Sequence, residues 1–150
     1  RLVINLEKLY LSIKKLGLEV SDVAEYYTYS HELGIAQNDT NNLQDKIFGI
    51  ECNFEELNGI DFRKGCYVGQ ENTARIKLKD KLNKRLFAIK VLDGEINSDE
   101  ITSENKNLGK LLINNKNPFA LLKLEDKSFN FDKDLKCGDA KIKVLRPNWI

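Results

Sequence analysis

The chain has 150 residues, 41% hydrophobic and 31% charged, which is room for one domain or two small ones around a real core. Its 24 lysines and arginines nearly balance 23 aspartates and glutamates, so overall charge gives no case for a nucleic-acid partner or an anionic membrane. No apolar run approaches the roughly 18–20 residues of a membrane span, and the opening "RLVIN" has no signal-peptide pattern. Three cysteines without a CxxC pair, and a single histidine, argue for a reducing compartment and against a self-contained zinc site. A start at Arg1 with no methionine anywhere suggests a longer protein lacking its N-terminal part.

In chain order, "NLEKLYLSIKKLG" places Leu6, Leu9, Ile13 and Leu16 on one helical face and ends at Gly17. "SDVAEYYTYSHELG" predicts a second helix capped by Asp22, with Glu25 at capping-box spacing and Gly34 as its stop. His31 on that helix reads as a satisfied helical histidine. "IAQNDTNNLQDKI" is a polar loop, and "NFEELNG" is at most a short helix closed by Gly59. Beyond residue 80 the texture changes. "KRLFAIKVLD", "NLGKLLINN", "PFALLKLED" and "AKIKVLR" are short apolar segments separated by Asp-Gly, Asn-Asn-Lys-Asn-Pro and Cys-Gly-Asp turns, the pattern of a small antiparallel sheet or barrel. The expected division is therefore residues 1–80, helix-containing, and 81–150, all-β.

The stretch with chemical content is "KGCYVGQE", residues 64–71. Gly65 and Gly69 permit positive φ or close approach to a ligand, and Arg63 and Lys64 place positive charge beside Cys66, favouring its thiolate. A helix opening at Gly69-Gln70-Glu71 would aim its N-terminal amides back at the thiol. On spacing alone, a buried structural cysteine accounts for the same residues.

The octapeptide, followed by "TAR", resembles the signature of the YgfZ family of folate-binding, T-protein-like factors of iron–sulfur cluster assembly. Upstream, "YSHELGIAQNDTNNLQDKIFGIECNFEELNGIDFRKGCYVGQE" is similar to the family pattern. Downstream, "KRLFAI" and "LRPNW" resemble the start and end of its C-terminal barrel. The fold this implies is α+β: the last part of a tripartite T-protein-like ring domain over residues 1–80, then a small antiparallel C-terminal β-barrel over 81–150. A short Asp-Pro-Arg motif that the family carries upstream is absent here.

The resemblance also implies roles. Cys66 would be a thiolate sharing an iron–sulfur cluster with a partner, an A-type carrier protein or similar, because one cysteine cannot hold a cluster alone. Lys64 would support the thiolate or a bound anion. Glu51 would bind the ring of tetrahydrofolate or a derivative through a fork of hydrogen bonds. Tyr67, Gly69, Gln70 and Glu71 would line the same pocket. Arg75 would neutralise a glutamate tail, or else pair with Glu71 one helical turn earlier. Cys52 and Cys137 read as structural. The alternatives are a folate-dependent aminomethyltransferase, whose motif has an acidic residue and phenylalanine where Cys66 and Tyr67 stand, and a non-catalytic interaction module. The lysine- and asparagine-rich composition points to an AT-rich bacterium and its cytoplasm, or to the mitochondrial matrix in a eukaryote.

Overall fold

A computed structural model describes residues 3–65, 70–78, 82–124 and 129–150. Among the described residues three α-helices precede six strands: α1 Leu6–Leu16, α2 Val23–Glu32, α3 Gln70–Leu78, β1 Lys84–Asp93, β2 Ile96–Ser103, β3 Lys106–Ile113, β4 Phe119–Lys123, β5 Leu135–Gly138 and β6 Ala140–Val144. The strands close into an antiparallel barrel in the order β1-β4-β3-β2-β5-β6. The change of texture near residue 80 falls on 79–81, outside the described residues.

Both early helices start and stop where their cap residues dictate. The Asn5 side chain accepts from the Glu7 and Lys8 N–H groups at 3.0 and 3.3 Å, and Gly17, at φ 62°, ends α1. Asp22 caps α2 through the Ala24 N–H at 2.8 Å, while Glu25 accepts from the Ser21 hydroxyl. The last turn of α2 docks on the barrel. His31 is buried, its Nε2 lies 3.0 Å from the Pro118 carbonyl, and its ring meets Phe119 edge-on at 5.1 Å. Trp149 donates from Nε1 to the Leu33 carbonyl at 2.8 Å. Gly34 follows at φ 75°, and a Cβ there would sit 3.1 Å from Pro147 and 3.3 Å from Trp149, so the C-terminal segment can close over it.

The barrel core is built by alternation. Along β6, Ala140, Ile142 and Val144 point inward between exposed lysines, joining Phe87, Ile89, Ile101, Leu108, Leu122, Leu135 and Cys137. Strand β1 departs from alternation: Leu86 to Ile89 are all buried. Phe87 and Ile89 fill the barrel. Leu86 and Ala88 face outward into a second cluster with Phe119, against which Ala36, Leu43, Ile47 and Cys52 pack. The continuous apolar run "LFAI" therefore marks where the helical part sits on the barrel.

Three local expectations change. "INSDEITS" forms β2, which the polar residues conceal: its register shifts between Ile96 and Ile101, breaking the period of two. Cys137, expected in a turn, is an inward residue of β5 paired with Ala140, and the turn narrows to Gly138-Asp139. "NFEELNG" forms successive turns instead of a helix, because Asn53 and Asn58 adopt φ 63° and 58°, which a right-handed helix excludes.

Candidate functional site

The segment 49–59 is a hub that meets α3 and β1. It follows the polar loop, which contains one 3₁₀ turn at Thr40–Leu43, and it lies against β1. Glu51 sits here, partly buried. Its Oε2 accepts from the Phe48 N–H at 2.9 Å, and its backbone carbonyl accepts from the Leu86 N–H of β1 at 2.8 Å. The carboxylate thus closes its own turn with one oxygen and retains acceptor capacity at the other.

Two ion pairs tie neighbouring elements to this segment. Lys77 in the last turn of α3 donates to Glu55 at 2.6 and 2.8 Å, with its ammonium 5.6 Å from the Phe62 ring. Arg85 of β1 pairs with Glu56 and also donates from Nη1 to Asn53 Oδ1 at 3.0 Å. Asn53 is only 1% exposed, and its Nδ2 donates to the Leu86 carbonyl at 2.8 Å. The second Glu56 oxygen is buried without a hydrogen-bond partner. It is held in place by the charge of Arg85, in an environment where an unpaired carboxylate would be costly.

Helix α3 begins at Gln70, as the octapeptide predicts, and Lys77 brings its far end to the Glu51 segment. Lys64, Gly65, Glu71 and Arg75 are exposed. No ion pair joins Arg75 to Glu71 among the described residues, which leaves the arginine presented to solvent. Cys66, Tyr67, Gly69 and the side chain of Gln70 lie outside the described residues. The structure therefore brings Glu51 and α3 to one hub but does not describe the thiol itself.

Next to this segment opens a cleft of about 610 Å³, walled mainly by Leu43, Ile47, Phe54, Leu57 and Leu86, with Cys52 in the wall; neither Glu51, Glu71 nor Arg75 lines it. Burial, reinforced by the negative charge of Glu51, pushes the Cys52 thiol up to about 11. Burial also raises the Cys137 thiol, with a lesser push from Asp99. Both are therefore protonated at neutral pH, the opposite of what nucleophilic or ligating chemistry requires. Among the described residues no group of three or more His, Cys, Asp or Glu could hold a metal ion.

Residues 83–150 match the family described as the CAF17 C-terminal beta-barrel domain, beginning one residue before β1. Over 103 residues, 69% of this chain and 25% of the relative, the sequence is 32% identical to the mitochondrial iron-sulfur cluster assembly factor IBA57 homolog of Dictyostelium discoideum. The corresponding Aspergillus oryzae protein is 40% identical over 80 residues, covering 53% of this chain and 17% of that protein. Human mitochondrial IBA57 is 32% identical over 77 residues, covering 51% of this chain and 22% of the relative. The chain belongs to the IBA57/CAF17/YgfZ family, in its C-terminal portion. The matched stretches span between about a sixth and a quarter of these relatives' own lengths.

Within this family frame the barrel is the matched domain, while the hub and the octapeptide precede it in sequence. Sequence reasoning missed Asn53, Glu56 and Arg85, which build the hub. An asparagine two residues from Glu51 in "ECNFEELNG" was the available signal, since Asn tolerates left-handed backbone better than other side chains. Nothing local marked Arg85, whose partners lie about 30 positions earlier in sequence.

Proposed function

We propose that this protein acts in iron–sulfur cluster assembly, with Cys66 as a thiolate that handles a cluster shared with an A-type carrier or similar partner. The observation that carries the reading is the octapeptide "KGCYVGQE" on a chain whose relatives in Aspergillus oryzae, Dictyostelium discoideum and human bear the name iron-sulfur cluster assembly factor. Support comes from the cysteine chemistry. Cys52 and Cys137 are protonated and at least partly enclosed, which leaves Cys66, flanked by Lys64 and a helix opening at Gln70, as the thiol suited to ligation. The cluster is cargo here: a single thiolate with a partner's ligands can pass it on but not retain it.

Tetrahydrofolate or a derivative is the cofactor we propose for the same site. Glu51 retains acceptor capacity for the amino–oxo edge of a pterin, and exposed Arg75 offers a cation for a glutamate tail. Tyr67, Gly69, Gln70 and Glu71 would complete the pocket, and Lys64 would keep the thiolate or an anion in place. Bound folate would supply a one-carbon or redox-active ring, while this chain's residues would orient it. The protein would work in the mitochondrial matrix of a eukaryote or the cytoplasm of a bacterium.

The test mixes the protein anaerobically with a cluster-loaded A-type carrier and records visible absorption and circular dichroism, for wild type and Cys66→Ala. A new cluster spectrum that vanishes with Cys66→Ala is expected. A spectrum identical in the two proteins would remove Cys66 from the cluster's ligands.

A further inference from the structure

The first half of β1, Lys84 to Ala88, pairs with β4 along one edge, whereas β6 pairs with β1 only from Ile89 onward. At Ala88 the second edge is still bonded, the carbonyl accepting from the Leu145 N–H at 2.9 Å, and before Ala88 it is a seam in the barrel. At Leu86 the seam is closed by the hub. The Leu86 N–H donates to the Glu51 carbonyl at 2.8 Å, and the Leu86 carbonyl accepts from Asn53 Nδ2, also at 2.8 Å. One backbone group and one side-chain amide thus supply what a neighbouring strand would supply, which protects an otherwise open edge.

Asn53 meets requirements that no other residue type combines. Its φ of 63° favours Gly, Asn or Asp. Its Nδ2 must donate to Leu86, which Gly and Asp cannot do, and its Oδ1 must accept from Arg85. Its backbone carbonyl in turn accepts from the Leu57 N–H at 3.0 Å, closing the following turn. On the other side, the Glu51 carboxylate is oriented by the Phe48 N–H at 2.9 Å.

We infer that Asn53 is the positioning residue of the site, its side chain pinning the Glu51 turn to the barrel seam and so setting the direction of the Glu51 carboxylate. The inference deepens the proposed function and rests on the reading that Glu51 meets the ligand. Asn53 does not itself touch the ligand: it acts through Glu51. The barrel thereby becomes part of the binding apparatus, because its first strand holds the carboxylate in register.

The experiment compares the full chain with its Asn53→Asp and Asn53→Gly variants. Asn53→Asp keeps the left-handed backbone and the acceptor for Arg85 but removes the donor to Leu86. Asn53→Gly keeps only the backbone. Residue-resolved amide exchange should rise about tenfold at Phe48 and Leu86 in both variants while Leu122 and Ile142 in the barrel stay protected. Affinity for 5-formyltetrahydrofolate, measured by calorimetry, should fall about tenfold, with Glu51→Gln as the direct-contact comparison. Unchanged exchange at Phe48, or equal acceleration throughout the barrel, overturns the inference, since Asn53 would then be inert or merely structural. Loss of Phe48 protection in the two variants, beside a wild type that takes up no 5-formyltetrahydrofolate, supports the pin and removes the folate reading instead.

Discussion

The barrel and helix α1 are both written with regular apolar periodicity, yet they use it in opposite ways. In the barrel Ile101, Leu108, Leu122 and Ile142 are completely buried, each side chain satisfied by strands of the same chain. On α1 the stripe has good helical spacing, but Leu6 is 79% exposed and Leu16 68% exposed, and no residue of the helix is buried. Periodicity specifies which face is apolar, whereas burial requires a partner surface, and only the barrel carries its own. Truncating each region should separate them sharply. Leu122→Ala should cost about 2–5 kcal/mol through lost burial and a cavity. Leu6→Ala on α1 should change stability by less than about 0.5 kcal/mol, as at any exposed site. Urea unfolding of the two variants decides the matter. Equal midpoint shifts would mean that α1 is buried in solution.

The joint between helices and barrel should show an intermediate effect that depends on pH. His31 is buried where α2 meets Pro118 and Phe119, and burial holds its imidazole below its ordinary value, outweighing the upward pull of backbone carbonyls and of Glu32. Because the folded state binds the proton less tightly than the unfolded chain, the contribution is present above about pH 6.5 and is lost as pH falls through the folded value. Replacing His31 by Ala should cost about 1–3 kcal/mol at pH 7.5, from the lost contact with Pro118 and the ring of Phe119. The sharper readout is the slope. Wild type should lose stability between pH 7 and pH 5 more steeply than His31→Gln, in which nothing at this position titrates. Parallel curves for the two proteins would show that the histidine does not titrate with docking.

Much of the architecture was legible because it is local. The cap at Asp22, the glycine stops, and four of the six strands follow from period and turn chemistry, whereas the Asn5 cap emerged only in the structure. Strand β2 was hidden because its bulge breaks the alternation and its outward residues are polar, and β5 because Cys137 borders Gly138-Asp139, which alone reads as a turn. The site divides in the same way. The octapeptide pointed to the helix opening at Gln70 and the family resemblance singled out Glu51, whereas the contacts of Asn53 with Leu86 and Arg85 depend on strand β1 returning to the hub, 32 or 33 positions apart, which no local pattern encodes.

The smallest effect concerns the thiols, and it extends the contrast to chemistry. Cys52 packs against the outward face of β1, and its thiol is pushed up to about 11 by burial and then by Glu51. An unfolded thiol ionises near 8.5, so this group contributes to stability fully below that pH and loses its contribution as pH rises toward about 11. Its nucleophilic form is correspondingly scarce at neutral pH. Cys137, fully enclosed in the barrel, is raised as well and lies beyond the reach of a reagent. Iodoacetamide at pH 7.5 should therefore modify Cys66 first, Cys52 slowly and Cys137 only on unfolding, as followed by mass spectrometry of timed digests. Raising the pH to 9.5 should speed modification of Cys52, whose thiolate fraction grows as pH approaches its raised value. Should Cys52 react first at pH 7.5, neither its burial nor the cationic setting of Lys64 governs reactivity, and Cys66 has no electrostatic advantage as the working thiol.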